Sequence, residues 1–405
     1  MHILHIAHSI GKNSAAGRLC TALINNRCKI STLSIEESDF LESYKLSSKK
    51  YFINKFINKI TIFPFKFYRK RSKKTPWSSH IFGVNIDDII RKINPDIVHL
   101  HWIARSTINL SCLNKISLPI LWTFHDVWPL TAGCHCNLGC NKWRNSCTSC
   151  SKLKKSIIPF DIARILFNNK LKIIKNINLS IIAPSKYIFS MAKASPIFKE
   201  KDIYHIPNAI NTNIFSPGSS SINTRLNIQE ECFVILFGAT SINLYYKGFD
   251  LLKKSLQRIY TKYKNIHLIA FGTKPLNLNE KFPITFTGYI YNTEELVDIY
   301  RCANLYIAPS RQDVLNSTVI EASSCGIPCI SFDIGGMSDI IINNKTGLLV
   351  KPFSINQLTI AIEYCINNKN KIIKCGFAAR NHIINNFDDN LVAQKHINLY
   401  RKLIK

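Results

Sequence analysis

Leu305-Tyr306-Ile307-Ala308-Pro309-Ser310-Arg311-Gln312-Asp313-Val314-Leu315-Asn316-Ser317-Thr318-Val319-Ile320-Glu321-Ala322 reads as a strand, a loop and the start of a helix. Its first four residues are apolar in succession, as in a strand buried on both faces. Pro309 ends the run, and Asn316 or Ser317 can cap a helix beginning near Ser317. Asp313 and Glu321 stand eight positions apart across the loop-to-helix junction. Carboxylates there can accept hydrogen bonds from vicinal hydroxyls, as an acidic residue does with ribose in dinucleotide folds. An acid placed to favour a helix dipole would have the same local sequence.

The same rhythm runs outward in both directions. N-terminal strand candidates are His2–Ala7, Cys28–Leu33, Asp96–His101, Pro119–Phe124, Leu179–Ala183 and Asp202–Ile206, with helices between them at Ala15–Asn25, Asn85–Ile93 and Asp161–Asn176. A second series comprises Phe233–Phe237, His267–Phe271, Ile284–Thr287, Leu305–Ala308 and Cys329–Phe332, with helices near Phe249–Tyr263, Thr293–Cys302 and Thr318–Ser324. Buried strands alternating with helices predict parallel α/β sheets, and two series predict two doubly wound domains. The expected layout is a first domain over 1–206, a turn-rich linker over 207–221, a second domain over 222–385 and a helical segment over 386–405 that can return to the first. Ligands of open α/β sheets bind at the carboxyl ends of the strands. Two such sheets facing each other would enclose a deep interdomain cleft.

The chain has 405 residues, 46% of them apolar, enough for a large core. Lys and Arg number 53 against 25 Asp and Glu, a formal net charge of +28. That excess points to an anionic partner: phosphorylated ligands, nucleic acid or an acidic membrane surface. No stretch reaches the ~20 apolar residues that span a bilayer. The N-terminus lacks the basic lead-in of a signal peptide, so a cytoplasmic address with mostly reduced thiols is expected.

Two further motifs sit after strands. Gly335 and Gly336 follow strand Cys329–Phe332, where they permit close backbone approach, and free amides at the following helix start favour anions. Lys247 precedes Gly248 and a helix start, where a cation and helix amides can hold a diphosphate; a solvated lysine or a ligand-free turn would have the same local sequence. Together and in this order the motifs resemble the C-terminal domain of retaining glycosyltransferases of family four, which have the GT-B fold. Asp313-x7-Glu321 is similar to the family's E-x7-E motif, with Asp in place of the first Glu. Lys247-Gly248 is similar to its phosphate-contacting Lys-Gly, and Pro207-Asn208-Ala209-Ile210-Asn211 to its interdomain P-N-G-I-D. Asp96–His101 and Thr123-Phe124-His125-Asp126 resemble family strands that line the cleft. Thr123–Cys150 further resembles a subgroup making bacterial surface polysaccharides of the colanic acid, O-antigen or exopolysaccharide type.

The resemblance implies transfer of a hexose-type sugar from a nucleotide-diphosphate donor, with retention and without a catalytic metal or other cofactor. Lys247, with amides near Gly335 and Gly336, would stabilise the diphosphate, and Arg311 would supply the charge of an arginine that relatives carry near Tyr245 and Tyr246. Glu321 would hold ribose hydroxyls and Asp313 hydroxyls of the sugar. His125, whose near-neutral pKa permits either protonation state, would reach the sugar or attacking group. Gly11 would leave room for donor phosphates or acceptor. The implied acceptor is a lipid-linked saccharide at the inner membrane.

Two segments remain. Cys134, Cys140, Cys147 and Cys150 match cysteine positions of that subgroup and could form a structural zinc site, Cys147-x-x-Cys150 having metal-ligand spacing; Cys136 and His135 look incidental. Tyr51–Lys74 interleaves aromatics and isoleucines with lysines, a pattern suited to an anionic membrane surface, so peripheral attachment at the inner face of the plasma membrane is expected. A basic, zinc-containing nucleic-acid-binding protein accounts for the charge and thiols, but nothing resembles a groove-reading helix or RNA-binding sheet motif; no nucleic-acid partner is expected. A donor-binding but inactive homologue is the other alternative, supported by Asp313.

Overall fold

The structure, a computed structural model, describes all residues except 37, 41, 46–55, 57–67, 69, 73, 155–159 and 273–279. The chain divides into two compact units, Met1–Ala209 with Asn390–Lys405, and Ile210–Asp389. Most of the basic segment Tyr51–Lys74 lies outside the described residues.

In the first unit the strands are β1 (His2–Ala7), β2 (Lys29–Ser34), β3 (Ser43–Lys45), β4 (Lys70–Arg71), β5 (Ile97–Leu100), β6 (Ile120–Thr123), β7 (Leu153–Lys154), β8 (Leu179–Ala183) and β9 (Ile203–His205). Among the described residues, seven form a parallel sheet in the order β3-β2-β1-β5-β6-β8-β9, and β4 pairs with β7 antiparallel. The central strands are buried throughout, which explains their unbroken Ile, Leu and Val runs. Helices between strands begin at residues that can accept an orphan amide: Ser14 accepts from Gly17 N, Asp161 from Arg164 N and Ser185 from Ile188 N. The final helix, Asp389–Ile404, contributes Val392, Ala393, Ile397 and Tyr400 to the cluster formed by Ile3, Ala7, Leu19 and Leu23.

The second unit contains β10 (Phe233–Gly238), β11 (Ile266–Phe271), β12 (Ile284–Gly288), β13 (Leu305–Ala308), β14 (Cys329–Phe332) and β15 (Gly347–Val350). These lie parallel in the order β12-β11-β10-β13-β14-β15. One apolar cluster packs on each face: Leu236, Ile269, Tyr300 and Val319 on one, Phe237, Leu252, Leu268 and Ile330 on the other. Topology places β10, β13 and β14 side by side, so the three loops that follow them share one edge of the sheet.

Candidate functional site

The three loops at that edge grip one another. After β10 the chain makes a short turn, Tyr245–Lys247, and the helix Phe249–Lys262 starts from Gly248 in the left-handed region, φ +73°. A Cβ on Gly248 would stand 1.9 Å from the Pro309 carbonyl oxygen, so only glycine lets the loops after β10 and β13 come this close. Arg311 N donates to Tyr246 O at 2.7 Å, and the Arg311 guanidinium donates to Tyr245 O at 2.8 Å. The same guanidinium makes two bonds of 2.6 Å to the Asp250 carboxylate and lies over the Tyr245 ring. Arg311's bonds hold the Asp250 carboxyl below its usual range. Arg311, expected on the diphosphate, is thus neutralised locally and braces the two loops together.

Lys247 and Asp313 meet here. Lys247 Nζ lies 2.8 Å from Asp313 Oδ2, an oxygen that also accepts from Asn316 Nδ2 at 3.1 Å. Asn316 caps the helix Ser317–Ser324 through Thr318 N and Val319 N, which fixes Asp313 relative to that helix. The third loop closes on Asp313 from the other side. Gly335 has φ +56°, and a Cβ there would stand 1.9 Å from Asp313 O. At the helix start expected to offer amides, Gly336 N donates to Asp313 O at 3.3 Å and Met337 N to Ile334 O at 3.1 Å, so these two amides are engaged within the loop. The helix that follows, Met337–Ile340, has only four residues. Gly335 therefore provides close approach to the Asp313 backbone. Glu321 is 5% exposed, and its Oε2 accepts from Tyr300 Oη at 2.6 Å. Burial, reinforced by Glu321, pushes the Tyr300 phenol well up and keeps it a donor.

In the first unit, His125 lies just beyond β6 and lines a pocket with His101, Thr123, Asn208 and His396 that has room for about one water molecule. His125 Nε2 is 3.0 Å from His101 Nδ1, and His101 Nε2 is 2.8 Å from His5 Nδ1. Burial pushes His125 down to about 4, against an opposing pull from Asp126. The near-neutral titration expected of it is thereby corrected: His125 is neutral at pH 7. Asp126 accepts from Trp128 N at 2.8 Å and Trp102 Nε1 at 2.7 Å, and lies 2.6 Å from His135 Nδ1. His135 Nε2 is 2.8 Å from Ser78 Oγ, so this histidine is part of the loop's frame and not incidental. Gly11 follows β1, and among the described residues a Cβ added there would meet Asp39 Oδ2 alone, at 3.5 Å, an ordinary contact distance.

In the cysteine loop, Cys134 and Cys150 hydrogen-bond to each other. That bond, with burial, raises the Cys134 thiol, and with amides from Lys152 and Leu153 it lowers Cys150 to about 6 despite burial. Among the described residues no three of these cysteines bring their sulfurs within 4.8 Å of one another; His5, His99 and His101 alone group their ligand atoms so closely. The tetrahedral thiolate site expected from spacing is therefore not assembled as the residues stand. Under the loop, Lys170 is fully buried, with Nζ donating to Trp128 O and Thr131 O at 2.8 Å each and lying over the Trp128 ring. Burial lowers its pKa to about 7. Among the described residues, no helix is long and apolar enough to cross a membrane.

Comparison with known proteins places these features. Residues 15–214 match the family model described as Glycosyltransferase Family 4, and residues 232–368 match Glycosyl transferases group 1. The capsular polysaccharide biosynthesis glycosyltransferase CapM of Staphylococcus aureus is 22% identical over 170 residues, 39% of this chain and 44% of that protein. The D-inositol 3-phosphate glycosyltransferase of Gordonia bronchialis is 33% identical over 87 residues, 22% of this chain and 19% of that protein. The chain thus spans less than half the length of these curated relatives. Among solved structures, sucrose-phosphate synthase from Thermosynechococcus elongatus has a TM-score of 0.70 at 18% identity, covering 100% of this chain and 99% of that one. Anabaena Alr3699/HepE in complex with UDP-glucose has a TM-score of 0.66 at 14% identity, with 100% of both chains covered. At such identities the likeness speaks for the fold: two Rossmann-like domains of the GT-B type.

Proposed function

Because the chain belongs to glycosyltransferase family 4, we propose that it moves a hexose-type sugar from a nucleoside diphosphate to a saccharide acceptor with retention at the anomeric carbon. The observation that carries this reading is the Lys247–Asp313 contact at the ends of adjacent strands, walled by two glycines whose Cβ atoms could not be accommodated. An ammonium and a carboxylate held side by side suit a ligand whose anionic group adjoins a cluster of hydroxyls. A sugar attached to a diphosphate is such a ligand. On donor binding Lys247 turns from Asp313 to the diphosphate, and Asp313 accepts from hydroxyls of the sugar. Glu321, oriented by Tyr300, accepts from the ribose. Arg311 acts indirectly, by holding the Lys247 and Asp313 loops in register, while Gly335 lets the Asp313 backbone approach and Gly336 N donates to it.

In the reaction the anomeric carbon–phosphate oxygen bond breaks as the acceptor oxygen forms its bond on the same face. The acceptor's proton passes to the departing diphosphate oxygen. The protein's part is positioning and charge stabilisation. Lys247 opposes the growing negative charge, a task that other transferases give to a divalent cation, so activity persists in EDTA. Its removal costs on the order of 3 kcal/mol, about a hundredfold in rate. His125 meets the sugar or the attacking hydroxyl, and Gly11 leaves room for phosphates or acceptor. No step runs through a metal in the cysteine loop. The resemblance to CapM, a glycosyltransferase named for capsular polysaccharide biosynthesis, supports a surface-polysaccharide acceptor, lipid-linked at the cytoplasmic face of the membrane. The net charge of +28 supports peripheral attachment to anionic lipid there.

Thermal-shift screening of uridine- and guanosine-diphosphate sugars identifies the donor, since a ligand bound to the folded state raises the melting temperature. Transfer from that donor, with the product's anomeric configuration read by NMR, tests the reaction. A protein that no nucleotide sugar stabilises, or that inverts the configuration, contradicts the proposal.

A further inference from the structure

His125 stands at the open end of a row of histidines drawn from three parts of the first unit. β1 and β5 are neighbours in parallel register with His5 opposite His99, and His101 follows β5. The row runs His5 Nδ1 to His101 Nε2 at 2.8 Å, then His101 Nδ1 to His125 Nε2 at 3.0 Å. Beside it, His99 bonds to Tyr400 Oη at 2.7 Å and to Thr123 Oγ1 at 2.8 Å. Among the described residues, His5 Nε2 is the one nitrogen of His5, His99 and His101 that lacks a hydrogen bond. That count favours a hydrogen-bonded row over a cation site, which would have to break those bonds.

A neutral imidazole has one N–H and one lone pair, so each link needs its proton on one side. The links are therefore coupled, and all three rings must point their protons the same way. Burial keeps the rings neutral: His5 is pushed down to about 3, His125 to about 4, and His101 well below its ordinary value. The charged or titratable groups acting on the row are His99, His396 and Asp126. The direction is settled at the blind end, where His5 Nε2 is buried without a partner. An orphaned N–H is the rarer and costlier state in protein interiors, so the bare atom is a lone pair and the His5 proton sits on Nδ1. His5 then donates to His101, and His101 donates through Nδ1 to His125 Nε2. The proton of His125 is left on Nδ1, which takes no hydrogen bond among the described residues and is not one of the buried unpartnered atoms.

We propose that His5 and His101 are positioning residues that hold His125 as the neutral tautomer protonated on Nδ1, so that His125 meets its ligand as a hydrogen-bond donor and not as a base. This rests on the reading that His125 contacts the saccharide. The ligand group facing it is then an acceptor oxygen, and the incoming hydroxyl's proton leaves by the diphosphate.

Long-range 1H–15N correlation spectra of the full chain, labelled with 15N-histidine and recorded at pH 7.5, test the assignment. The expected result is a protonated Nδ1 and a bare Nε2 at His125. His101→Phe should remove that preference and lower kcat about tenfold while leaving the donor KM within twofold. His101→Gln, whose amide can accept from His5 and donate to His125, should restore most of both. A proton on Nε2 of His125 in the wild type, or an unchanged tautomer in folded His101→Phe, overturns the proposal. If His101→Phe does not fold, the wild-type spectrum decides alone. Wild-type turnover in His125→Gln would instead remove the saccharide contact while the tautomer assignment stood, so the two failures are distinguishable.

Discussion

Lowering the pH should unfold the first unit selectively. His5, His80 and His396 are at most 2% exposed, and burial pushes them to about 3, 3 and 4. Above the unfolded-state pKa near 6.5 such a group is neutral whether the chain is folded or not. Below it the unfolded chain takes up a proton that the folded chain refuses, so stability falls with falling pH until the folded pKa is reached. At pH 5.5 each group costs about 1.4 kcal/mol, and the three together roughly 4 kcal/mol. His99 and His101 are shifted in the same direction and add to the loss. All five lie in the first unit, whereas among the described residues of the second unit burial lowers His267. A loss of about 4 kcal/mol lowers the melting temperature of a domain of this size by roughly 8–16 °C. Scanning calorimetry at pH 7.5 and 5.5, with hydrogen exchange to assign each transition, should show peptides of β1 and β5 losing protection first. A first unit that melts at the same temperature at both pH values would refute the reasoning, because those histidines could not then be buried neutral.

Asp313→Asn removes the negative charge that faces Lys247, so a nucleoside diphosphate should bind as tightly as to wild type or tighter, while sugar transfer falls at least tenfold; calorimetric titration and turnover read the two effects separately. Gly335→Ala should cost about 1–3 kcal/mol in stability, from the left-handed backbone and the approach to Asp313 O, and should also raise the donor KM; an alanine variant with wild-type melting and KM would mean that the loop is not held against Asp313. Tyr300→Phe leaves Glu321 Oε2 without the bond from Tyr300, a loss of about 1–3 kcal/mol for a buried acceptor, which should appear as a weaker affinity for the donor nucleotide.

The strand runs were legible because central strands of parallel sheets are continuously apolar: β1, β8, β13 and β14 lie where their residue runs place them. β3 and β15 were not read. Ser43-Tyr44-Lys45 is a polar edge segment, and Gly347–Val350 is only four residues long and half-buried in the middle. The Lys247 and Asp313 motifs were legible as separate pieces, since each follows a strand, but strand order alone brings them into contact. Arg311 was assigned to the diphosphate in place of an arginine that relatives carry near Tyr245 and Tyr246; its bidentate bond to Asp250 depends on how the helix Phe249–Lys262 is oriented. The histidine row could not be read at all, because His5, His101 and His125 come from different strands and their meeting depends on register. Lys170 likewise was not singled out in the sequence, because the two carbonyls that hold it inside, Trp128 O and Thr131 O, lie about forty residues away in the chain.

Central to the account is that Lys247 holds the diphosphate of the donor. Calorimetric titration of the identified nucleoside diphosphate into wild type and Lys247→Ala, with melting temperatures confirming that both are folded, tests it most directly. The account predicts binding to Lys247→Ala weakened at least tenfold, with the difference shrinking as salt is raised. Equal affinities in the two folded proteins would contradict it.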